Sequence, residues 1–394
     1  MIYADNAATT RMSPRALQVM TETAAELWGN PSSLYELGQA AQEALNDARA
    51  RMAAILGAEP KEIYFTSGGS EGDNQAIRSC ARLGAAKDKR HIISTAFEHH
   101  AVLHTLKRLE KEGYEVTYLP VHENGIVTAE EVKAAIRPDT CLVTIMFANN
   151  EIGTIQPVKE IGAVCRAAKV PFHTDAVQAA GHVEIDVKEM NIDLLSLSAH
   201  KFHGPRGVGA LYCRTGLPLY PLIEGGAQER NRRAGTENLA GIRAMVTALE
   251  EMAAHLDENA AYVSGLRDRL IDGLSRVPHS ALNGDRAHRL PGNVNFCFEG
   301  IEGESLLLLL DQAGICASSG SACTSGSLDP SHVLLAIGRP HEVAHGSLRL
   351  TLSEANTEAE VDEIVKEVPR IVEYLRGFSP IWQDLISGRR QHLL

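Results

Sequence analysis

Seven short apolar runs between residues 62 and 213 constrain the fold of this chain more than any other feature. The runs read EIYFTS, HIISTA, EVTYLPV, CLVTIMFAN, VPFHTDA, DLLSLSA and GVGALYC. None exceeds nine residues, and all are rich in β-branched or aromatic residues, as buried strands are. Helical stretches separate several of them, for example residues 101–112 and 158–168. Strands that alternate with helices predict an α/β fold with a mainly parallel sheet.

The pattern changes after Thr236. Residues 238–277 have the spacing of a long helix, and short strand-like pieces follow at 294–298 and 347–352, before a final amphipathic helix at about 357–374. This arrangement predicts a second, smaller α+β domain. We expect residues 13–260 to form the large domain, and residues 1–12 to join residues 261–394 in the small one.

Composition excludes several classes of function. Of 394 residues, 38 are Lys or Arg and 50 are Asp or Glu, so the net charge is −12, which disfavours nucleic acid and anionic membranes as partners. No apolar stretch reaches the roughly 18 residues of a membrane span, and MIYADNAATT is unlike a signal peptide. The seven cysteines are odd in number and lack CxxC spacing, so we expect neither a disulfide scaffold nor a metal site. We expect a cytoplasmic protein.

Three strand ends carry residues suited to one cofactor. In SAHKFHGPRG, Lys201 follows a strand, where a lysine that forms a Schiff base must face a crevice; a solvated surface lysine is the alternative. In HTDAVQ, Asp175 interrupts an apolar run, where a pyridinium nitrogen would offset its burial; a helix N-cap is the alternative. In TSGGSEGDN, a Gly/Ser turn opens a helix and predicts an anion site. Because strand ends of an α/β sheet share one edge, the three sites can converge on pyridoxal phosphate.

A Ser/Gly-rich segment, residues 317–330, carries Cys323 at its centre. This composition predicts a mobile loop, because it offers little apolar area to offset the entropy of ordering. An ordinary surface loop is the alternative, but a lone exposed thiol there would be prone to oxidation.

The sequence resembles the cysteine desulfurases of the NifS/IscS type, within the class V aminotransferase-like enzymes that use pyridoxal phosphate. The motifs that carry the resemblance span residues 5–349 and read DNAATT, TSGGSEGDN, FEHHAV, NNEIGTIQP, HTDAVQ, SAHKFHGPRG, RRAGTEN and SSGSACTSG. The resemblance implies the fold of type I pyridoxal-phosphate enzymes. RRAGTEN leans towards the NifS branch.

The resemblance also implies roles for individual residues. Lys201 would hold the cofactor as a Schiff base, and His99 would stack on its ring and assist proton transfer. Cys323 would receive the substrate sulfur as a persulfide, with His99 or the substrate amine removing its proton. Asp175 would bind the ring nitrogen and Gln178 the ring hydroxyl. The phosphate would be held by Gly69, Ser70, Ser198 and His200, and Thr236 would reach the phosphate of the cofactor in the neighbouring subunit. Asn150 and Arg349 would bind the substrate carboxylate, and Asn150 would also border the cofactor.

The reaction so implied converts L-cysteine to L-alanine for iron–sulfur cluster assembly, in a homodimer with its sites at the interface and an iron–sulfur scaffold protein of the U type as acceptor. A selenocysteine lyase or a cysteine-sulfinate desulfinase on the same scaffold is the nearest alternative, and a non-enzymatic sulfur carrier is a more distant one. One position departs from the family pattern: a basic residue is expected near Glu354.

Overall fold

A computed structural model describes residues 1–319 and 329–394 of the chain. Cys323 and the centre of the Ser/Gly-rich segment therefore lie outside the described residues. In chain order the elements are β1 (Ile2–Tyr3), α1 (Pro14–Glu26), α2 (Glu36–Ile55), β2 (Ile63–Thr66), α3 (Gly69–Ala85), β3 (His91–Thr95), α4 (His100–Lys111), β4 (Glu115–Leu119), α5 (Ala129–Ala135), β5 (Thr140–Thr144), α6 (Val158–Ala168), β6 (Phe172–Asp175), β7 (Leu194–Ser198), β8 (Gly209–Cys213), α7 (Gln228–Asn231), α8 (Leu239–Ala254), α9 (Leu256–Leu274), β9 (Ser280–Leu282), β10 (Asn293–Phe298), α10 (Gly303–Gln312), β11 (Ile315–Cys316), α11 (His332–Ala336), α12 (His341–His345), β12 (Ser347–Thr351), α13 (Glu358–Phe378) and α14 (Pro380–Ile386).

The seven apolar runs form the seven strands of one sheet, in the order β2-β8-β7-β6-β5-β3-β4. Strand β8 is antiparallel to both of its neighbours, and the other pairings are parallel. The α/β fold class predicted from the sequence is confirmed.

Helices cover both faces of this sheet because both faces of its strands are apolar. Neighbouring strand residues alternate between two hydrophobic clusters: Ile92 packs with α3 and α4, whereas Ile93 packs with the cluster that holds α1, α2, α6 and α8. In the same way, Leu142 and Leu194 belong to the cluster of Ile92, and Val143 and Leu195 belong to the cluster of Ile93. The result is a three-layer arrangement in which helices cover both faces of a buried sheet.

A third cluster lies beyond the large sheet. Strand β10 is the centre of a three-stranded antiparallel sheet between β12 and β9, and α9, α10 and α13 pack against it. Strand β1 pairs with β11, and Ala4 belongs to the same cluster. The division of the chain into domains at residues 12/13 and 260/261 stays a prediction.

The helix expected over residues 238–277 is two helices rather than one. Helix α8 ends at Ala254 and α9 starts at Leu256, because His255 between them has a non-helical backbone (φ −118°, ψ 19°). Helix α8 packs on the large sheet and α9 on the small one. No helix in the described ranges combines the length and the apolar character that crossing a bilayer would require.

Candidate active site

One cavity of about 290 Å³ lies at the edge of the large sheet where the parallel strands end. Strands β2, β3, β5, β6 and β7 all deliver residues to it just after their last residue, as the topology of a parallel sheet requires. Ten of the residues predicted for the site line this cavity: Gly69, Ser70, His99, Asn150, Asp175, Gln178, Ser198, His200, Lys201 and Arg349.

Two predicted residues remain, Thr236 and Cys323. Thr236 is exposed and does not line the cavity of its own chain. Its segment is nevertheless held beside the start of α3, because Arg233 pairs with Glu71 at 2.9 Å and Gln75 donates to the Arg232 carbonyl at 2.7 Å. Cys323 lies outside the described residues, so its position relative to the cavity stays a prediction.

Lys201 reaches into the cavity from the turn after β7. Its Nζ donates to the carbonyl oxygens of Ala7 and Ala8, at 2.5 and 2.8 Å. The N-terminal segment therefore forms one wall of the site, and Gln178 binds the same Ala7 carbonyl at 3.0 Å. Residues 7–8 were not predicted to line the site, because backbone carbonyl groups leave no sequence signal.

The turn that carries Lys201 is fixed by hydrogen bonds to the segment after Ala8. The Thr10 backbone N–H donates to the His200 carbonyl at 2.9 Å, and the His203 N–H donates to the Thr10 hydroxyl at 2.8 Å. His203 also has a positive φ of 63° and pairs with Glu354 at 3.0 Å. The acidic residue at position 354, where a basic one was expected, thus ties the Lys201 turn to the chain after β12.

Asp175 is a buried carboxylate at the end of β6. Its Oδ1 accepts the Val177 backbone N–H at 2.9 Å, but residues 177–182 form turns and no helix, so this contact closes a turn and is not the helix N-cap considered from the sequence. Burial raises the pKa of Asp175, and the nearby His99 and Lys201 oppose this rise. A cationic ring nitrogen in the cavity would further stabilise its ionised form.

His99 begins helix α4 as its N-cap, and its Nδ1 accepts the Ala101 backbone N–H at 3.1 Å. The neutral ring therefore carries its proton on Nε2, which can donate into the cavity. Burial lowers the pKa of His99, with Asp175 opposing and Lys201 adding to the shift. His99 is thus held neutral and oriented.

A second buried carboxyl, Asp73, was missed by the sequence reasoning. One ligand atom each from Asp73, His99 and Asp175 lies within 4.8 Å of the others. Burial, followed by the charge of Asp175, raises the pKa of Asp73 well above its ordinary value. Its Oδ1 lies 3.5 Å from Nε2 of the buried His173. The spacing of Gly69 and Asp73, four residues apart on α3, was the signal that could have placed both on one helix face.

Arg349 is buried in β12, where Nη1 donates to the Asn150 carbonyl at 3.1 Å and Nη2 pairs with Asp5 at 3.0 Å. Its Nε has no hydrogen-bond partner in the described part of the chain. Arg349 lines a cavity that also holds the Lys201 amine, and a guanidinium in such a place suits a carboxylate ligand.

The chemistry of the residues that line the cavity fits pyridoxal phosphate. Helix α3 begins at Gly69 and presents its first backbone N–H groups beside Ser70 and Ser198, which is a phosphate site in physical terms. A Cβ on Gly69 would stand 2.4 Å from Val177 Cγ2, so only glycine lets the helix start approach the end of β6. The Lys201 amine, the Asp175 carboxylate and the anion site at the start of α3 all line the same cavity. These are the groups that would bind the aldehyde, the ring nitrogen and the phosphate of the cofactor.

Comparison with known proteins agrees with this geometry. The sequence model of the aminotransferase class-V family matches residues 2–364, and the chain belongs to that family, in the branch of the cysteine desulfurases of the NifS/IscS type. It is 54% identical to cysteine desulfurase IscS of Clostridium botulinum over 99% of both chains. It is 56% identical to cysteine desulfurase IscS of Methanosarcina thermophila, over 96% of this chain and 94% of the relative.

Solved structures show the same fold. A NifS-like protein superposes with a TM-score of 0.89 at 39% identity, covering 95% of this chain and all of the other. SspA, solved in complex with cysteine, gives a TM-score of 0.79 at 36% identity, over 91% of this chain and all of SspA.

Proposed function

We propose that this chain is a cysteine desulfurase that binds pyridoxal phosphate on Lys201 and takes the sulfur of L-cysteine onto Cys323, leaving L-alanine. The observation that carries the proposal is the convergence of Lys201, Asp175 and Arg349 on one cavity in a chain that is 54% identical to a cysteine desulfurase. When bound, pyridoxal phosphate supplies a ring that withdraws electrons from the α-carbon of an attached amino acid.

The residues of the chain have separate tasks around that ring. Asp175 keeps the ring nitrogen protonated, and the start of α3 holds the phosphate with Ser198 and His200. Arg349 binds the carboxylate of cysteine beside Asn150. The Lys201 amine moves the proton at the α-carbon, which requires that it leave the carbonyls of Ala7 and Ala8.

Sulfur transfer breaks the Cβ–Sγ bond of the substrate, delivers a proton to Cβ and forms an S–S bond on Cys323. The Cys323 thiol must first lose its proton, because a thiol with an ordinary pKa of about 8.5 is only a few per cent thiolate at neutral pH. His99 Nε2 carries the proton of the neutral ring, so it is poorly suited as the base. The substrate amine is the better candidate.

Both described flanks of the Cys323 segment are fastened to site residues. Ser318 exchanges two backbone hydrogen bonds with Arg349, at 2.6 and 3.1 Å. Ser331 donates to the Glu151 carboxylate, next to Asn150, and His332 contacts the Glu98 carbonyl, next to His99, at 3.0 Å. Cys323 is four positions after Ser319 in the sequence, a span of at most about 14 Å. These anchors support delivery of the thiol to the cavity.

We further propose that the enzyme works as a homodimer with Thr236 at the partner's site, that it supplies sulfur to an iron–sulfur scaffold protein of the U type, and that it is cytoplasmic. Two relatives at 54% and 56% identity are named IscS, which supports an iron–sulfur role.

The test is to follow labelled cysteine with Cys323→Ala and Lys201→Ala. Cys323→Ala should bind pyridoxal phosphate like the unaltered chain, yet form no protein persulfide and release no sulfide. Lys201→Ala should lose the covalent adduct that borohydride fixes on residue 201, as read by peptide mass spectrometry. Full sulfide release by Cys323→Ala would refute the assigned acceptor, and faster turnover of selenocysteine than cysteine would favour a selenocysteine lyase.

A further inference from the structure

Two imidazoles and a buried carboxylate meet just after strand β10, outside the cavity that holds Lys201. Glu299 is 4% exposed, and its Oε2 lies 2.7 Å from Nδ1 of His392 and 3.7 Å from Nδ1 of His279. One ligand atom from each of the three residues lies within 4.8 Å of the other two. The proposed desulfurase reaction gives these residues no task.

The donor set is that of a transition-metal site. Two imidazole nitrogens and one carboxylate oxygen suit zinc and its neighbours in the first row. Metal–ligand distances of 2.0–2.2 Å separate tetrahedral ligands by about 3.4 Å, and the two distances to Glu299 Oε2 lie on either side of that value. The Leu394 carbonyl oxygen, 3.0 Å from His279 Nδ1, could serve as a fourth ligand.

The surroundings hold the backbone of the ligands, but the imidazoles of His279 and His392 stack face to face, with centroids 3.7 Å apart and 15° between their planes, so one ring must rotate out of the stack before both Nδ1 atoms can bind one ion. The guanidinium of Arg376 donates to the backbone carbonyls of Pro278, His279 and Glu299, at 2.8, 3.0 and 3.0 Å. The Trp382 ring lies edge-on to both imidazoles, with centroids 5.5 and 5.6 Å away. These contacts fix the backbone of two ligands and pack against both rings, as the outer contacts of metal sites do, while the side chains of His279 and His392 stay 32% and 29% exposed.

Without a metal the same groups form a hydrogen-bonded clasp. Nδ1 of His392 contacts a carboxylate and Nδ1 of His279 contacts a carbonyl, so each Nδ1 carries a proton and donates it. Metal binding at Nδ1 requires that each ring move its proton to Nε2. The Leu393 N–H, 2.7 Å from Glu299 Oε1, can stay in place in both states.

We propose that His279, Glu299 and His392 bind one late first-row divalent metal ion, such as Zn²⁺ or Ni²⁺, and that this ion fastens residues 392–394 to the end of β10. The site is structural and independent of the chemistry at Lys201.

The chain offers its own reporter, because Trp28 and Trp382 are its only tryptophans and Trp28 is 72% exposed. In a Trp28→Phe background, loaded with pyridoxal phosphate, Ni²⁺ added after chelator treatment should quench Trp382 with saturation at one equivalent. His392→Gln and His279→Asn should each weaken this binding at least tenfold. Asparagine suits position 279 because its φ is +51°.

His255→Gln, which alters an exposed imidazole on another surface, is the matched control and should quench like the parent. Zn²⁺ should raise the unfolding temperature of the parent but not of His392→Gln or His279→Asn, while circular dichroism shows that both variants are folded. Equal Ni²⁺ quenching of parent and folded variants, or quenching that never saturates below millimolar Ni²⁺, overturns the proposal.

Discussion

At the scale of single residues, the properties of the site depend on the interactions among its ionisable side chains. Asp73 and Asp175 are both buried, which raises the pKa of each, and the charge of Asp175 further raises the cost of ionising Asp73. Asp175 faces His99 and Lys201, which favour its charged form, whereas the largest charge acting on Asp73 is that of Asp175 itself. The charged form is therefore better stabilised at Asp175 than at Asp73, and we expect Asp73 to be the protonated member of the pair.

Asp73→Asn and Asp175→Asn should accordingly behave differently. Asparagine mimics a neutral carboxyl, so Asp73→Asn should keep cofactor affinity within about threefold. Asp175→Asn removes the charge that holds the ring proton and should weaken cofactor affinity at least tenfold, about 1.4 kcal/mol. The measurement is equilibrium binding of pyridoxal phosphate by its absorbance. Equal losses in both variants would mean that Asp73 is ionised.

The pairing of His203 with Glu354 predicts a pH dependence of stability. The pKa of His203 is raised above 6.5, chiefly through its contact with Glu354, although burial opposes the rise. The pKa of Glu354 is lowered below 4.5 by His203, again against burial. The histidine contributes stability that is complete below pH 6.5 and lost as pH rises through its raised pKa, and the glutamate contributes stability that is lost as pH falls below 4.5.

Glu354→Gln should therefore destabilise the chain most between pH 4.5 and 6.5, by about 1 kcal/mol for this partly exposed pair. The difference in unfolding free energy between Glu354→Gln and the parent chain should become smaller towards pH 9. Urea unfolding at several pH values measures it, with Glu358→Gln, an exposed partner of Arg269, as the control. A deficit that stays constant from pH 5 to pH 9 would show that the pair is not ionic.

At the scale of elements, the cofactor site depends on a close approach between the start of α3 and the end of β6. Gly69 and Val177 are in contact there, with no room for a methyl group on Gly69. Gly209 on β8 brings a third backbone near, since a Cβ there would stand 2.7 Å from Gly68 Cα. The anion site at the start of α3 is therefore shaped by glycines near neighbouring strand ends.

Gly69→Ala should push α3 away from β6 and weaken phosphate binding, with a cost to stability of about 1–3 kcal/mol from overpacking. Val177→Ala in the same chain removes the methyl group that the new Cβ would meet, so the double variant should recover most of the affinity for pyridoxal phosphate. A double-mutant cycle measures the coupling. Additive losses would show that the clash is not the cause.

At the scale of the whole molecule, Thr236 bears on assembly. It is exposed, yet its segment is fixed beside α3 by Arg233 and by the Arg232 carbonyl. An exposed residue that is held near a site edge is accessible to a second copy of the chain, and the contact that the family resemblance implies stays a prediction.

Mixed dimers of Lys201→Ala and Thr236→Ala chains test this contact. If Thr236 acts across the interface, both defects fall in one site, and the other site keeps unaltered affinity for pyridoxal phosphate. If Thr236 acts within its own chain, the site that retains Lys201 has the weakened affinity of Thr236→Ala. Differently tagged chains allow purification of the hybrid, and sedimentation should show twice the mass of one chain.

The sequence by itself determined the seven strands, several of the helices between them, and the position of Lys201, Asp175 and the Gly/Ser turn at one sheet edge, while the family resemblance supplied the other predicted residues of the cavity. It could do so because apolar runs identify buried strands, and a parallel sheet brings the ends of its strands to one edge whatever their separation in sequence. Only the tertiary structure placed the carbonyls of Ala7 and Ala8 on Lys201, Glu354 on His203, and the His279, Glu299 and His392 cluster. Each of these contacts joins segments that are far apart in the chain, through backbone atoms or side chains whose identity alone specifies no partner.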